Sequence, residues 1–213
     1  MSGAGALCVL RAADRAATVW KNGGGVTREI AVWPEGADMD GFGWRVSLAE
    51  VAADGPFSGF PGIERTLTLA EGAGMDLTVA GVRRLVDERF APQDFPGDEP
   101  TECRLLSGPV VNFNVMYRRG AVEAQTAVVR GALDAAVPPG GTLLVVALEG
   151  PAVLERGGDR AELLPYDAAL LTGPPDCRVR TGGRAAVVRF APAPAPAPAP
   201  AQAQAAAAAA APA

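Results

Sequence analysis

Apolar residues in this chain come in short runs, and Gly or Pro cuts off each run before a helix could form. The chain has 26 Gly and 19 Pro in 213 residues. Runs of this kind are Trp44 to Val51, Thr66 to Leu69, Met75 to Val79, Val110 to Tyr117, Ala121 to Val129, Thr142 to Leu148, Ala152 to Leu154, Ala168 to Leu171 and Ala185 to Phe190. Many short strands joined by turns predict an all-β sandwich or barrel with little helix. Leu7 to Ala17 is the one segment that could pass for a short helix, with Leu7, Leu10 and Asp14 at a weak helical period.

The second half reads as one small barrel. A strand ending in Glu149-Gly150 is followed by a Pro165-Tyr166-Asp167 turn and then by the apolar strand Ala168 to Leu171, as in cupin-like barrels. A weaker version, Thr66 to Leu77, occurs in the first half. Two barrels are therefore expected in residues 1–190, as lobes 1–119 and 120–190. Residues 191–213 hold only Ala, Pro and Gln, with Ala-Pro repeated five times at the start, and predict a disordered tail without a packed core.

The chain contains no His, which removes histidine general bases, Ser-His-Asp and Cys-His triads, HExxH helices and His-ligated metal centres. No metal or other cofactor is expected. A formal net charge of -5 argues against nucleic acid as a partner, since phosphate binding needs a concentrated basic face. Cys8, Cys103 and Cys177 are widely spaced and odd in number, so they fit neither a disulfide framework nor a CxxC pair. No apolar stretch reaches the ~18 residues of a membrane helix. Together these features predict a cytoplasmic protein with no membrane partner. Barrel edge strands also offer a route to a homodimer.

Three segments carry candidate chemistry. The first is Trp20-Lys21-Asn22-Gly23-Gly24-Gly25-Val26-Thr27-Arg28-Glu29-Ile30. Its glycines allow close approach of backbone to a ligand, but without GK[ST] and a following helix it is no phosphate loop. In the strand that follows, Thr27 and Glu29 share one face. Of 19 basic residues only Lys21 is a lysine, which suggests that a compact ammonium is wanted there.

In the second segment, Arg45, Ser47 and Ala49 oppose the apolar face of Trp44, Val46 and Leu48, and the aromatic loop Gly55 to Gly62 leads on to Arg65. In the third, Asn112, Asn114, Met116 and Arg118 share a strand face, although Asn is depleted in strands. Guanidinium groups from Arg45, Arg65 and Arg118 with Ser47, Asn112 and Asn114 would suit a small carboxylate, which guanidinium pairs bidentately. Glu29 is the one well-placed acid/base candidate, and no activated nucleophile is evident, so an enzyme is the weaker expectation.

At these segments the sequence resembles the HutD/Ves family of bacterial proteins. The matching text is Trp20-Lys21-Asn22-Gly23-Gly24-Gly25-x-Thr27-x-Glu29-Ile30, Trp44-Arg45-Val46-Ser47-x-Ala49-Glu50-Val51, Gly55-Pro56-Phe57-Ser58-x-Phe60-Pro61-Gly62 and Phe113-Asn114-Val115-Met116-x-Arg118. The resemblance extends over roughly residues 7 to 190. It departs at Asn112, where the family usually carries Asp. It implies a bicupin fold, association with histidine utilisation, and a regulatory role through binding a small acid such as urocanate or a formyl- or formimino-glutamate intermediate. No established catalytic activity comes with it.

The leading expectation is thus a metal-independent small-carboxylate-binding protein that modulates histidine utilisation, with Lys21, Asn22, Gly23, Thr27, Glu29, Arg45, Ser47, Arg65, Asn112, Asn114 and Arg118 at the site. Two alternatives are a metal-independent isomerase or hydrolase working through Glu29, and an interaction protein with no ligand.

Overall fold

The computed structural model describes residues 5–194, so nearly all of the Ala/Pro tail, from residue 195 on, lies outside the described residues. Within them the chain forms seventeen strands and one single-turn 3-10 helix, Ala12–Asp14. The segment expected as a short helix is instead strand β1 (Ala6–Leu10) followed by that turn. Pairing with β16 explains the difference, because Ala6 to Leu10 gains a full antiparallel partner that an isolated helical turn lacks.

The first lobe holds two sheets. A six-stranded sheet runs β2 (Ala17–Val19), β3 (Gly25–Trp33), β4 (Trp44–Val51), β11 (Val110–Arg118), β6 (Ile63–Glu71) and β9 (Pro92–Pro96). Facing it is a four-stranded sheet of β5 (Gly55–Phe57), β10 (Thr101–Leu105), β7 (Met75–Val79) and β8 (Val82–Val86). The second lobe is one seven-stranded sheet. It runs β1, β16 (Ala168–Thr172), β13 (Thr142–Glu149), β17 (Cys177–Pro192), β14 (Ala152–Arg156) and β15 (Asp159–Leu163), with β12 (Val122–Ala135) on β17. The N-terminal strand β1 therefore completes the sheet of the second lobe, and β17 continues two residues into the Ala-Pro repeat.

The sheet of the second lobe curls because β17 pairs with two different strands on one side. Ala185 to Phe190 pairs with β13, whereas Arg178 to Thr181 pairs with β14. The corner lies at Gly183, where a Cβ would come within 1.8 Å of the Glu149 carbonyl oxygen, so only glycine lets the strand turn there. The architecture is the expected one, two β-barrels in one chain.

Three large apolar clusters, and a small one of Phe42, Ile63 and Met116, divide the interior. Leu143, Val145, Leu154, Leu163, Leu171 and Val179 fill the second barrel with side chains. Leu67, Leu69, Met75, Leu77, Phe95 and Cys103 fill one end of the first. The third cluster is the joint between lobes, where Trp44, Val46, Leu48, Phe113 and Val115 of the first lobe meet Leu144, Val146, Val188 and Phe190 of the second. Trp44 and Phe190 stack with centroids 4.3 Å apart and rings 7° from parallel. At the rim of the joint, Tyr166 donates to the Glu71 carboxylate and Arg89 pairs with Glu149 at 3.3 Å.

All three cysteines are free thiols. Burial pushes Cys103 and Cys177 up to about 11, so both are protonated at neutral pH and act as small apolar filler. Among the described residues no helix is long and apolar enough to cross a membrane.

The joint makes the two lobes interdependent. Phe190→Ala, which removes a fully buried ring stacked across it, is expected to lower the unfolding free energy by about 3–5 kcal/mol in urea denaturation at neutral pH. A loss under about 1 kcal/mol would show that the stack contributes little.

Candidate functional site

Side-chain alternation gives the strands of the six-stranded sheet two unlike faces. Trp44, Val46, Leu48, Phe113 and Val115 point to the joint, so Arg45, Ser47, Ala49, Asn112, Asn114 and Met116 point into the first barrel. They line a cavity of about 630 Å³, whereas apolar side chains fill the second barrel.

Register sets the order of the groups along the cavity wall. Met116 lies opposite Arg45 on one side and Arg65 on the other, so the two arginines flank it. Two strand spacings place their Cα atoms about 10 Å apart. One pair further along β11 come Ser47, Asn114 and Leu67, and beyond them Ala49, Asn112 and Leu69. The wall thus grades from a cationic row, through a polar one, to an apolar floor that contains a single amide.

Arg65 is the most constrained of these residues. It is 8% exposed and forms no ion pair among the described residues. Its one side-chain hydrogen bond goes from Nη2 to Asn114 Oδ1 at 3.4 Å, and its Nε is buried without a partner. Its guanidinium carbon lies 5.3, 5.8 and 5.2 Å from the ring centroids of Phe57, Phe60 and Phe95, within cation-π range. Desolvation pulls its pKa down to about 10.

Arg45 is held differently. Its Nε donates to Glu29 Oε2 at 2.7 Å, and the ion pair joins a mostly buried guanidinium to a half-exposed carboxylate. Glu29 itself is not among the residues lining the cavity, because a β-bulge follows it in β3.

The turn between β2 and β3 closes one side of the cavity. Lys21 and Asn22 line it, and Gly23 forms the turn at φ +71° without lining it. Asn22 Oδ1 accepts from the Gly24 amide at 3.0 Å, and Thr27 lines the wall while its Oγ1 accepts from Trp20 Nε1 at 2.8 Å. Gly25 is required by close packing, since a Cβ there would meet the Glu50 carbonyl oxygen at 2.4 Å and the Trp20 ring at 3.1 Å.

The structure therefore brings Lys21, Asn22, Thr27, Arg45, Ser47, Arg65, Asn112 and Asn114 to one cavity, and leaves Gly23, Glu29 and Arg118 off its wall. Arg118 Nε and Nη2 donate to the Phe42 and Asp40 carbonyls at 3.2 and 2.6 Å, which ties down the loop before β4. Met39 and Phe95 were not singled out from the sequence. Phe95 gives no local signal, because it reaches Arg65 only through the pairing of β9 with β6.

The donor set is unsuited to a metal cation of the kind cupin barrels hold. The cavity wall carries no imidazole, thiolate or carboxylate, and it places two guanidinium groups and an ammonium around the space.

Comparisons agree with this fold. The HutD family model matches residues 12–188. A 21.2 kDa protein from the hutC 3' region of Pseudomonas putida is 41% identical over 111 residues, 52% of this chain and 58% of that protein, so the match spans little more than half of that relative's length. Protein Ves of Cronobacter sakazakii is 34% identical over 61% of this chain and 70% of its own. The structure of HutD from Pseudomonas fluorescens SBW25, in a formate condition, superposes with a TM-score of 0.75 at 33% identity, covering 88% of this chain and 99% of that one. A Leptotrichia buccalis cupin 2 conserved barrel domain protein shares the fold alone, with a TM-score of 0.52 at 12% identity over 78% of this chain and 88% of that one.

Arg65 costs the ligand-free fold stability. Below pH about 10 both folded and unfolded chains carry its charge, and the depressed folded value corresponds to a constant penalty on the order of 3 kcal/mol, offset in part by the three rings. Between that value and the guanidinium's ordinary one the unfolded chain binds more protons than the folded one, so this contribution to stability rises with pH there. Arg65→Met is therefore expected to leave the ligand-free protein at least as stable as wild type in urea at pH about 7. A loss of more than about 1 kcal/mol would assign Arg65 a structural role.

Proposed function

The chain belongs to the HutD family, a cupin-fold family tied to histidine utilisation, and from that premise and the cavity we propose that it is a small-carboxylate-binding protein. The observation that carries this reading is Arg65, a buried guanidinium without a carboxylate of its own on the wall of a cavity. A buried cation with no partner is costly, and a ligand carboxylate is the group that would relieve it.

The neighbouring groups fit the same ligand. Asn114, already bonded to Arg65, supplies an amide beside the guanidinium. Glu29 takes only the Nε of Arg45, which leaves the two terminal nitrogens of that guanidinium for a bidentate contact. Lys21 stands on the β2–β3 turn with no ion pair among the described residues, and adds a third positive charge to the wall.

Within histidine utilisation the proposed ligands are acids of that breakdown route, such as urocanate or a formyl- or formimino-glutamate intermediate. Binding one of them would let the protein modulate the pathway by sensing an intermediate. The reaction chemistry offered by the wall is meagre, because no carboxylate, imidazole or thiol faces the cavity.

The test is a thermal-shift titration of the full chain with formate, urocanate and N-formylglutamate, with and without EDTA. A saturable rise is expected with at least one acid, reaching about 2.7 kcal/mol of stabilisation at 100 times the dissociation constant and unaffected by EDTA. Arg65→Gln should abolish it. An equal shift in that variant, or no saturable shift with any of the three, would overturn the proposal.

A further inference from the structure

Asn112 is the least satisfied polar residue on the cavity wall. It is 1% exposed, on a central strand where Asn is disfavoured. Its Nδ2 lies 3.8 Å from the Met75 sulfur, a weak acceptor, and its Oδ1 has no hydrogen-bond partner. Its cross-strand neighbours on the same face are Ala49 and Leu69, so nothing opposite it needs an amide. A Leu or Val there would fill the same space without burying a polar group. The amide is therefore unexplained by folding and lies on the wall of a cavity that has room for a ligand.

Resting on the carboxylate reading above, we infer that Asn112 is a specificity-determining residue and that the site takes an acid bearing a second, neutral hydrogen-bond donor, a hydroxyl or an amide N–H. The spacing follows from β11. Asn112 and Asn114 are two residues apart on one strand face, about 7 Å along the strand. Asn114 marks the carboxylate end, since it is bonded to Arg65. The donor therefore lies a few bonds from the carboxylate, on the side toward the apolar floor of Ala49 and Val51. An acid that ends in a methyl group would leave Oδ1 unpaired in the complex, and a site built around a buried polar group rejects an analogue that lacks its partner.

Isosteric pairs test this directly. Dissociation constants are measured by titration calorimetry on the full chain for 3-hydroxypropanoate against butanoate, 4-hydroxybutanoate against pentanoate, and formate as the carboxylate control. Wild type is expected to prefer the hydroxy acid by about tenfold in at least one pair. Asn112→Leu should erase that preference. Equal wild-type affinities within both pairs would refute the inference, as would a preference that survives in Asn112→Leu. If formate and all four longer acids fail to bind wild type, the carboxylate reading itself falls and the inference with it. Should Asn112→Leu not fold, the wild-type comparison alone still decides the outcome.

Discussion

Strands β4 and β11 each have to satisfy two environments at once, and the rest of the molecule follows from how they do so. Their odd and even positions point to opposite faces of the sheet, so neither face can be altered by sliding the strand one residue. One face supplies Trp44, Val46, Leu48, Phe113 and Val115 to the joint with the second lobe. The other supplies Arg45, Ser47, Asn112 and Asn114 to the cavity. A register slip would bury guanidinium and amide groups in the joint while turning Trp44 into the cavity, and both outcomes are expensive. The cavity face is held in place by the apolar one behind it.

This arrangement explains why two barrels in one chain differ so sharply. In the second, inward positions on β13, β14, β16 and β17 are mostly Leu, Val and Ala, joined by Cys177, and they fill the space. In the first, the same kind of wall gives way at Arg45, Ser47, Asn112 and Asn114, and a cavity remains where side chains would otherwise meet. The second barrel acts as ballast, presenting a rigid sheet against which β4 and β11 are pressed. Arg156 ties that sheet to the N-terminal strand by donating to the carbonyls of Ala6, Thr172, Gly173 and Pro175. Strand β1 is held by this bonding as well as by its pairing with β16.

Much of this was legible in the sequence where the physics is local. The faces of β4 and β11 follow from a period of two, and the runs Trp44 to Val51 and Met75 to Val79 coincide with strands β4 and β7. What could not be read was set by distant pairing. Phe95 reaches Arg65 only because β9 pairs with β6, and nothing in Pro92 to Pro96 announces an aromatic wall. Arg118 shares the face of Asn112 and Asn114, but it is the last residue of β11, and there its guanidinium finds the carbonyls of Asp40 and Phe42. Glu29 shares a face with Thr27, but the bulge after it leaves it beside Arg45 rather than over the cavity. Leu7 to Ala17 carried a faint helical period that a ready-made strand partner outweighed.

The ligand-free molecule therefore keeps two unsatisfied groups on one wall, the cation of Arg65 and the amide of Asn112, where apolar residues would make a more stable barrel. Neither is forced by a β-barrel fold, since the second barrel closes on a largely apolar interior of Leu, Val, Ala and Cys177. On the proposed reading, a bound acid supplies a partner to each, so the binding energy comes from groups that the fold leaves unsatisfied. The strands that carry the two groups, β6 and β11, are paired to each other, and β11 also forms the joint between lobes.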